Sequence, residues 1–169
     1  MVIEWAALEA YLERHGAKET KHSGRCLFDH LKGTHDILRD WGNPDHVCKA
    51  GLFHSIYGTA VFRHRSVPLT ERPTVRALVG SEAEHLAYLF CVIDRPKIFL
   101  DAEAMFQRYL FDRHSHQVVT VTRKVRDELV EIEAANLLEQ GSKSAATLQR
   151  LVQMGVSGAA RLAIASRSL

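Results

Sequence analysis

Hydrophobic residues recur along most of the chain at the period of a helix, interrupted by short polar or glycine- and proline-bearing stretches. Ile3, Leu8, Tyr11 and Leu12 form a first stripe over 3–15, and a polar stretch from Gly16 to Gly24 follows it. Leu27, Leu31, Thr34 and Leu38 then predict a helix over 24–41 that stops at Gly42. Asn43-Pro44 supplies an N-cap and a first-turn proline for a helix over 44–57, whose AGLFHSIYG run is apolar on nearly every side. GTAVFRHRSVPLTERP reads as a loop, and a short helix near PTVRALV stops at Gly80. Ser81 and Glu84 make a capping-box pattern for a helix over 81–95, which Pro96 ends.

Residues 107–122 alternate with period two around a polar tip, which predicts one small hairpin. RKVRDELVEIEAANLLEQ is a strong helix, and Ala-rich helices follow it. The expected fold is therefore a mostly α single domain over 1–169 with at most one small β-hairpin. Its motif core falls in 22–95 and its C-terminal helices in 122–169, with the helices over 24–41, 44–57 and 81–95 packed together. Gly141-Ser142 is the best candidate boundary, but the tail beyond it is too short to form a separate domain.

Composition narrows the class. A chain of 169 residues with 46% hydrophobic content fits one domain, able to bury about two-thirds of its unfolded surface. The net charge of +2, from 22 basic and 20 acidic residues, gives no general reason to expect nucleic acid or an anionic membrane, so any anion site must be local. Cys26, Cys48 and Cys91 are odd in number and far apart, matching neither a disulfide framework nor a common zinc spacing. They read as small core residues in a reducing compartment. No apolar stretch approaches a spanning helix, and the N-terminus opens on IEWAALEAYLERHG rather than a signal pattern, so a cytoplasmic location is expected. Histidine is the anomaly: ten copies make a metal site or acid–base chemistry worth a search.

Two histidines fall on inward positions. His30 lies beside the stripe of its helix, whereas Lys32, His35, Asp36 and Arg39 point the other way. His54 joins the stripe Val47, Ala50, Tyr57, and Gly33 and Gly51 would let the two helices approach closely. Asp94 extends the stripe Ala83, Ala87, Phe90 by one turn. Two imidazoles and a carboxylate from three helices are ligand types for a divalent transition metal with open positions. Taken singly, each position has a plainer reading, as a hydrogen-bonded core histidine or a surface aspartate at a helix end.

The stretch SGRCLFDHLKGTHDILRDWG…VCKAGLFHSIYGT resembles the HD-domain superfamily of metal-dependent phosphohydrolases, in which a helix of the form HxxxT is followed about two dozen residues later by an apolar helix ending LLHD. The spacing of 24 between His30 and His54 suits that pattern. TERPTVRALVGSEAEHLAYLF, with a Ser-Gly pair before the first histidine, is similar to the guanosine tetraphosphate hydrolase branch, and HLKGTHDIL also resembles a helix of the inositol-oxygenase-like branch. The resemblance covers residues 22–95. ANLLEQ and HSIYGT look like signatures of a further family on that scaffold, a likeness that supplies no activity.

The chain departs from the superfamily where the aspartate of the HD pair would stand: it has Ser55. His35-Asp36 is a literal HD pair but lies on the face away from the stripe, and Tyr57-Gly58 replaces the acidic pair of the guanosine-phosphate hydrolases. With two acids absent, a dinuclear centre is not expected. A mononuclear site of His30, His54 and Asp94, loaded with Mn or Fe, or no metal at all, remains. Ser55 and Arg25 are the candidate catalytic groups, Arg25 because it stands five residues before His30.

Arg63, Arg65, Arg72 and Arg76, with Lys97, surround a loop holding only Glu71 as an acid, and could clamp a phosphate or carboxylate, although such charge more often means a solvated face. Tyr57 joins them as a candidate substrate contact. Asn136 interrupts the stripe Val125, Leu129, Ile132 and is either a satisfied buried amide or a pocket residue. Glu133 and Glu139 could replace a missing ligand, though nothing in their spacing selects them. His114 and His116 sit at the hairpin tip. Trp5 and Trp41 read as core. Three functions follow: a metal-dependent hydrolase of a phosphate ester or nucleotide, an iron-dependent oxygenase or lyase acting on a small polar metabolite, and a degenerate HD-like domain that binds without turnover. The expected partner is a small anionic molecule, with a homodimer possible and neither nucleic acid nor membrane involved.

Overall fold

The computed structural model describes residues 5–22, 24–95, 97–100, 103, 109–141 and 145–166. Helix α1 spans Trp5–Arg14, and a two-residue antiparallel ladder, β1 (Lys21–His22) with β2 (Arg25–Cys26), leads into α2 (Leu27–Asp40). Helix α3 spans Asp45–Phe53, a single 3-10 turn covers Leu69–Glu71, and α4 (Arg72–Val79), α5 (Ser81–Val92) and α6 (Lys97–Leu100) follow. Strands β3 (Tyr109–Asp112) and β4 (Gln117–Thr120) form a hairpin, and α7 (Arg123–Glu139), α8 (Ala145–Met154) and α9 (Gly158–Ser166) complete the described chain. The fold is mostly α, as the periodicity predicts, with the hairpin where alternation places it. The β1–β2 ladder is an addition: two residue pairs are too few to leave a period-two signal. The expectations involving Ile3, Pro96, residues 107–108 and Ser142 lie outside the described residues. No described helix is long and apolar enough to cross a membrane.

Helices α2, α3, α5 and α7 pack on one another at the centre. One set of buried side chains, including Leu38, Val47, Phe90, Leu129 and Leu138, joins α2, α3 and α5 to α7, α8 and α9. A second, including Leu12, Leu31, Phe53, Val75 and Ala87, joins α1 and α4 to α2, α3 and α5. Gly51 is what lets α3 lie so close to α2: a Cβ there would stand 2.4 Å from Leu38 Cδ1, inside a side chain with no exposed surface. His35 departs from its expected outward position, being buried beneath Trp5 of α1 with ring centroids 5.0 Å apart.

Two further departures follow from local backbone. Helix α5 begins at Ser81 with Gly80 as its N-cap and no side-chain cap, so the capping box does not form, and Glu84 turns fully inward. At the other end the helix stops at Val92, where Ile93 is extended (φ −73°, ψ 151°) and bridges Asp112 of β3. The helical extrapolation that carried Asp94 to the inner face therefore fails one turn early. Thr122 caps α7 as an N-cap should, its hydroxyl oxygen accepting the Val125 N–H at 3.2 Å.

Asp112 ties the hairpin tip to α5. Its Oδ1 accepts the N–H groups of His114 (2.7 Å) and Ser115 (3.2 Å), and its Oδ2 accepts the Tyr88 hydroxyl (2.9 Å). Burial by itself would raise this carboxyl, and the three donors outweigh it, holding Asp112 below the usual carboxylate range.

Two outcomes are expected. Gly51→Ala should lower stability by about 1–3 kcal/mol through overpacking at Leu38, read by urea denaturation; unchanged stability would mean that α2 and α3 separate freely. Because its folded pKa is depressed, Asp112 should contribute stability that is fully present above the ordinary aspartate pKa of about 3.9 and lost as pH falls through its lower folded value. Melting temperatures of wild type and Asp112→Asn from pH 6 to pH 2 check this: the mutant should lose that part of the acid-range slope.

Candidate functional site

His30, in the first turn of α2, and His54, the residue that ends α3, meet in the centre of the molecule. Neither has any exposed surface, and their Nε2 atoms are 3.0 Å apart with the ring planes at 75°. The other ring nitrogen of each is already committed. His54 Nδ1 lies 2.6 Å from the Gly51 carbonyl oxygen, which can only accept, so the hydrogen sits on Nδ1 and Nε2 holds a lone pair. His30 Nδ1 faces the Oε2 of Glu139, from the last turn of α7, and donates to that carboxylate. Two neutral imidazoles held this way would direct lone pairs at each other. Their close approach calls for a cation between them, either a proton or a metal ion.

Glu139 is nearly enclosed, with 3% of its side chain exposed. Arg25, on β2, reaches its Oε1 and also donates to its backbone carbonyl at 3.0 Å, capping the end of α7. Gly33 makes room for this carboxylate, since a Cβ at that position would stand 2.7 Å from Glu139 Oε1. The expectation that Gly33 and Gly51 both serve the contact of α2 with α3 is thus half corrected: Gly51 does, and Gly33 serves α7.

The pair is covered by aromatic rings and flanked by charge. The His22 ring lies over His30 with centroids 4.3 Å apart, and Phe62 meets His22 edge-on at 4.5 Å, both rings being half-buried. Beneath, Phe90 meets His54 edge-on at 5.1 Å. Arg95, buried between α5 and α7, lies over Phe90 at 3.7 Å and pairs with Glu133 at 2.5 Å. Burial, reinforced by His30 and Arg95, holds His54 well below the ordinary histidine value and therefore neutral near pH 7. Burial and His30 likewise push His22 down to about 4.

Of the predicted site residues, the structure unites His30, His54 and Arg25. Asp94 is corrected: half of its side chain is exposed and it faces Lys97 at 3.7 Å, because the backbone leaves the helix at Ile93. Arg72 and Arg76 are corrected as well. Both bind Glu84, Arg72 at 2.6 Å and Arg76 at 3.0 Å, and the Tyr57 hydroxyl donates to the same carboxylate at 3.3 Å. These three serve a buried charge rather than an open clamp.

Arg63 and Arg65 are exposed, Arg65 lying 3.4 Å from His114 Nε2. Asn136 proves to be the satisfied amide, donating to Glu133 at 3.2 Å and accepting from Gln140 at 2.9 Å. Ser55 is buried in the turn after α3, where its carbonyl oxygen accepts the Gly58 N–H at 3.0 Å. Sequence reasoning did not select Arg95 or His22, nor single out Glu139 from Glu133. The only sequence signal for Glu139 is the bare Gly33 one turn of α2 beyond His30, and that meaning depends on where α7 lies.

Among the described residues no three His, Cys, Asp or Glu side chains are grouped to hold a metal ion. The donors that do converge are two imidazoles, with the Glu139 carboxylate behind His30.

A mostly helical domain with a buried histidine pair at the meeting of its central helices is the class that fold and site define. Residues 11–95, which are 85 of the 169, match the family model described as "Domain of unknown function (DUF6817)", and the chain belongs to that family. The matched segment contains His30 and His54, whereas Glu133 and Glu139 lie beyond it. Neither the curated proteins nor the solved structures yield a match.

Glu84 separates structural from functional charge. Glu84→Ala should cost about 3 kcal/mol, the low end for breaking a buried ion pair, since both guanidinium groups can turn to solvent. The spectroscopic environment of His30 and His54 should stay unchanged, so chemical denaturation alongside histidine NMR checks both halves.

Proposed function

We propose that this protein is a hydrolase of a phosphate ester or nucleotide that uses one divalent cation, Mn or Fe, received by the Nε2 atoms of His30 and His54. The observation that carries the reading is the 3.0 Å separation of two buried Nε2 atoms whose partner nitrogens are committed to Gly51 and Glu139. The resemblance of the stretch around these histidines to HD-domain phosphohydrolases supports it, as an analogy of scaffold. A divalent cation held there would supply an acidified water and polarise a phosphoryl oxygen.

The chain's own residues have separable tasks. The Gly51 carbonyl keeps His54 with its Nε2 lone pair free, and low basicity keeps that imidazole neutral. Arg25 neutralises Glu139 behind His30. Its side chain remains 41% exposed, and Arg63 and Arg65 add exposed positive charge on the loop that carries Phe62. An anionic substrate would meet these groups first. His22 and Phe62 cover His30 and restrict water.

A second reading, a binding domain without turnover, is favoured by Ser55 standing where HD domains carry aspartate and by the outward Asp94. The oxygenase reading depended on Asp94 completing a facial triad and loses that support.

Calorimetric titration with Mn2+ and Fe2+, the latter under anaerobic conditions, tests the proposal. Wild type should bind close to one equivalent, and His54→Ala should abolish binding with only modest loss of stability. Absence of binding by reconstituted wild type would favour the binding-domain reading. Ser55→Asp should tighten metal binding, because a carboxylate is a stronger ligand than a hydroxyl. Equal or weaker binding by a normally melting Ser55→Asp protein would place that side chain outside the site.

A further inference from the structure

We infer that Glu139 is a positioning residue, holding His30 with its hydrogen on Nδ1 so that the Nε2 lone pair is presented toward His54, and that Gly33 is the space in which its carboxylate sits. The inference rests on the proposal that His30 and His54 receive a cation, and extends it to Glu139, which lies outside the resemblance and outside the matched family segment.

Three independent observations support it. First, Glu139 Oε2 faces His30 Nδ1, and a carboxylate oxygen there accepts a hydrogen, which excludes the tautomer that would place the only hydrogen on Nε2. Second, the carboxylate is itself fixed. It is 3% exposed, Arg25 binds its Oε1, and the same guanidinium donates to the backbone carbonyl of Glu139 at 3.0 Å. Third, α2 lacks a side chain where the carboxylate passes. A Cβ on Gly33 would stand 2.7 Å from Oε1, 2.8 Å from Cγ and 3.1 Å from Cδ, so any other residue would displace the whole carboxylate end.

Carboxylates behind ligating histidines fix ring orientation and raise ligand basicity, and their removal typically costs about ten- to a hundredfold in metal affinity. Glu133, six residues earlier on α7, is held by Arg95 and Asn136, and Glu139 is the carboxylate that meets His30.

The test compares wild type, Glu139→Gln, Glu139→Leu and Gly33→Ala by ring-nitrogen NMR of the metal-free protein, and by calorimetry with Mn2+ alone. His30 should carry a hydrogen on Nδ1 in wild type and in Glu139→Gln, whose amide oxygen still accepts. In Glu139→Leu and in Gly33→Ala that hydrogen should be absent from Nδ1 and stand on Nε2 instead. Mn2+ affinity should fall about ten- to a hundredfold in the same two variants and recover largely in Glu139→Gln.

An Nδ1 hydrogen that persists in Glu139→Leu would overturn the inference, even if Mn2+ affinity fell, because the loss would then be merely structural. Its absence from wild type would overturn the inference too. If wild type binds no Mn2+, the metal reading fails by itself and the NMR arm still decides the role of Glu139. Should Glu139→Leu not fold, Glu139→Met, which keeps the side-chain length, carries the same readout.

Discussion

Two glycines, each leaving the space of a Cβ to a side chain from a neighbouring helix, are the constraint on which the rest of this structure depends. At Gly51 the absence of a side chain lets α3 settle against Leu38 of α2, and at Gly33 it lets the end of α7 bring a carboxylate against the same helix. Helices separated by ordinary side chains lie about 8–10 Å apart, a distance at which an imidazole on one reaches the other only by filling the gap. Here Gly51 places no side chain of its own between the helices, and His30 and His54 meet nitrogen to nitrogen instead of packing past each other. The geometry of the site is thus a consequence of interhelical distance before it is a consequence of the histidines.

Burying charge in such a core is costly unless each charge is compensated, and three buried carboxylates of the molecule are compensated in this way. Glu84 is enclosed by Arg72, Arg76 and Tyr57; Arg95 is paired with Glu133; Glu139 is shared between Arg25 and His30. The rule explains why the arginines divide as they do. Those on α4 and at the end of α5 are held by buried carboxylates, whereas Arg63 and Arg65 stay exposed on the loop after Tyr57. A basic run in the sequence therefore separates into structural and available charge according to which acids are buried nearby.

Burial also gives the two imidazoles of the central pair unequal roles. His54 is anchored to a neutral carbonyl and kept neutral by desolvation and neighbouring positive charge. His30 is anchored to a carboxylate that is itself tied to a guanidinium. One ring is therefore an acceptor by environment, while the other is oriented by a chain that reaches the surface at Arg25.

The sequence by itself determined the helical class, the hairpin, and the inward faces of α2 and α3. Periodicity reports burial, and within a continuous helix a stripe extrapolates faithfully from Leu27 to Leu38 or from Val47 to His54. It failed where the chain left the helix. Asp94 turns outward, against its expected place, because Ile93 becomes extended to bridge Asp112, a pairing set by the distant hairpin. Likewise Ser81 and Glu84 read as a cap, but a carboxylate prefers two guanidinium groups when folding brings α4 beside α5. Only the tertiary structure could select Glu139 over Glu133, because both lie on one helix and what separates them is the neighbour each meets across a gap of more than a hundred residues in one case and fewer than forty in the other.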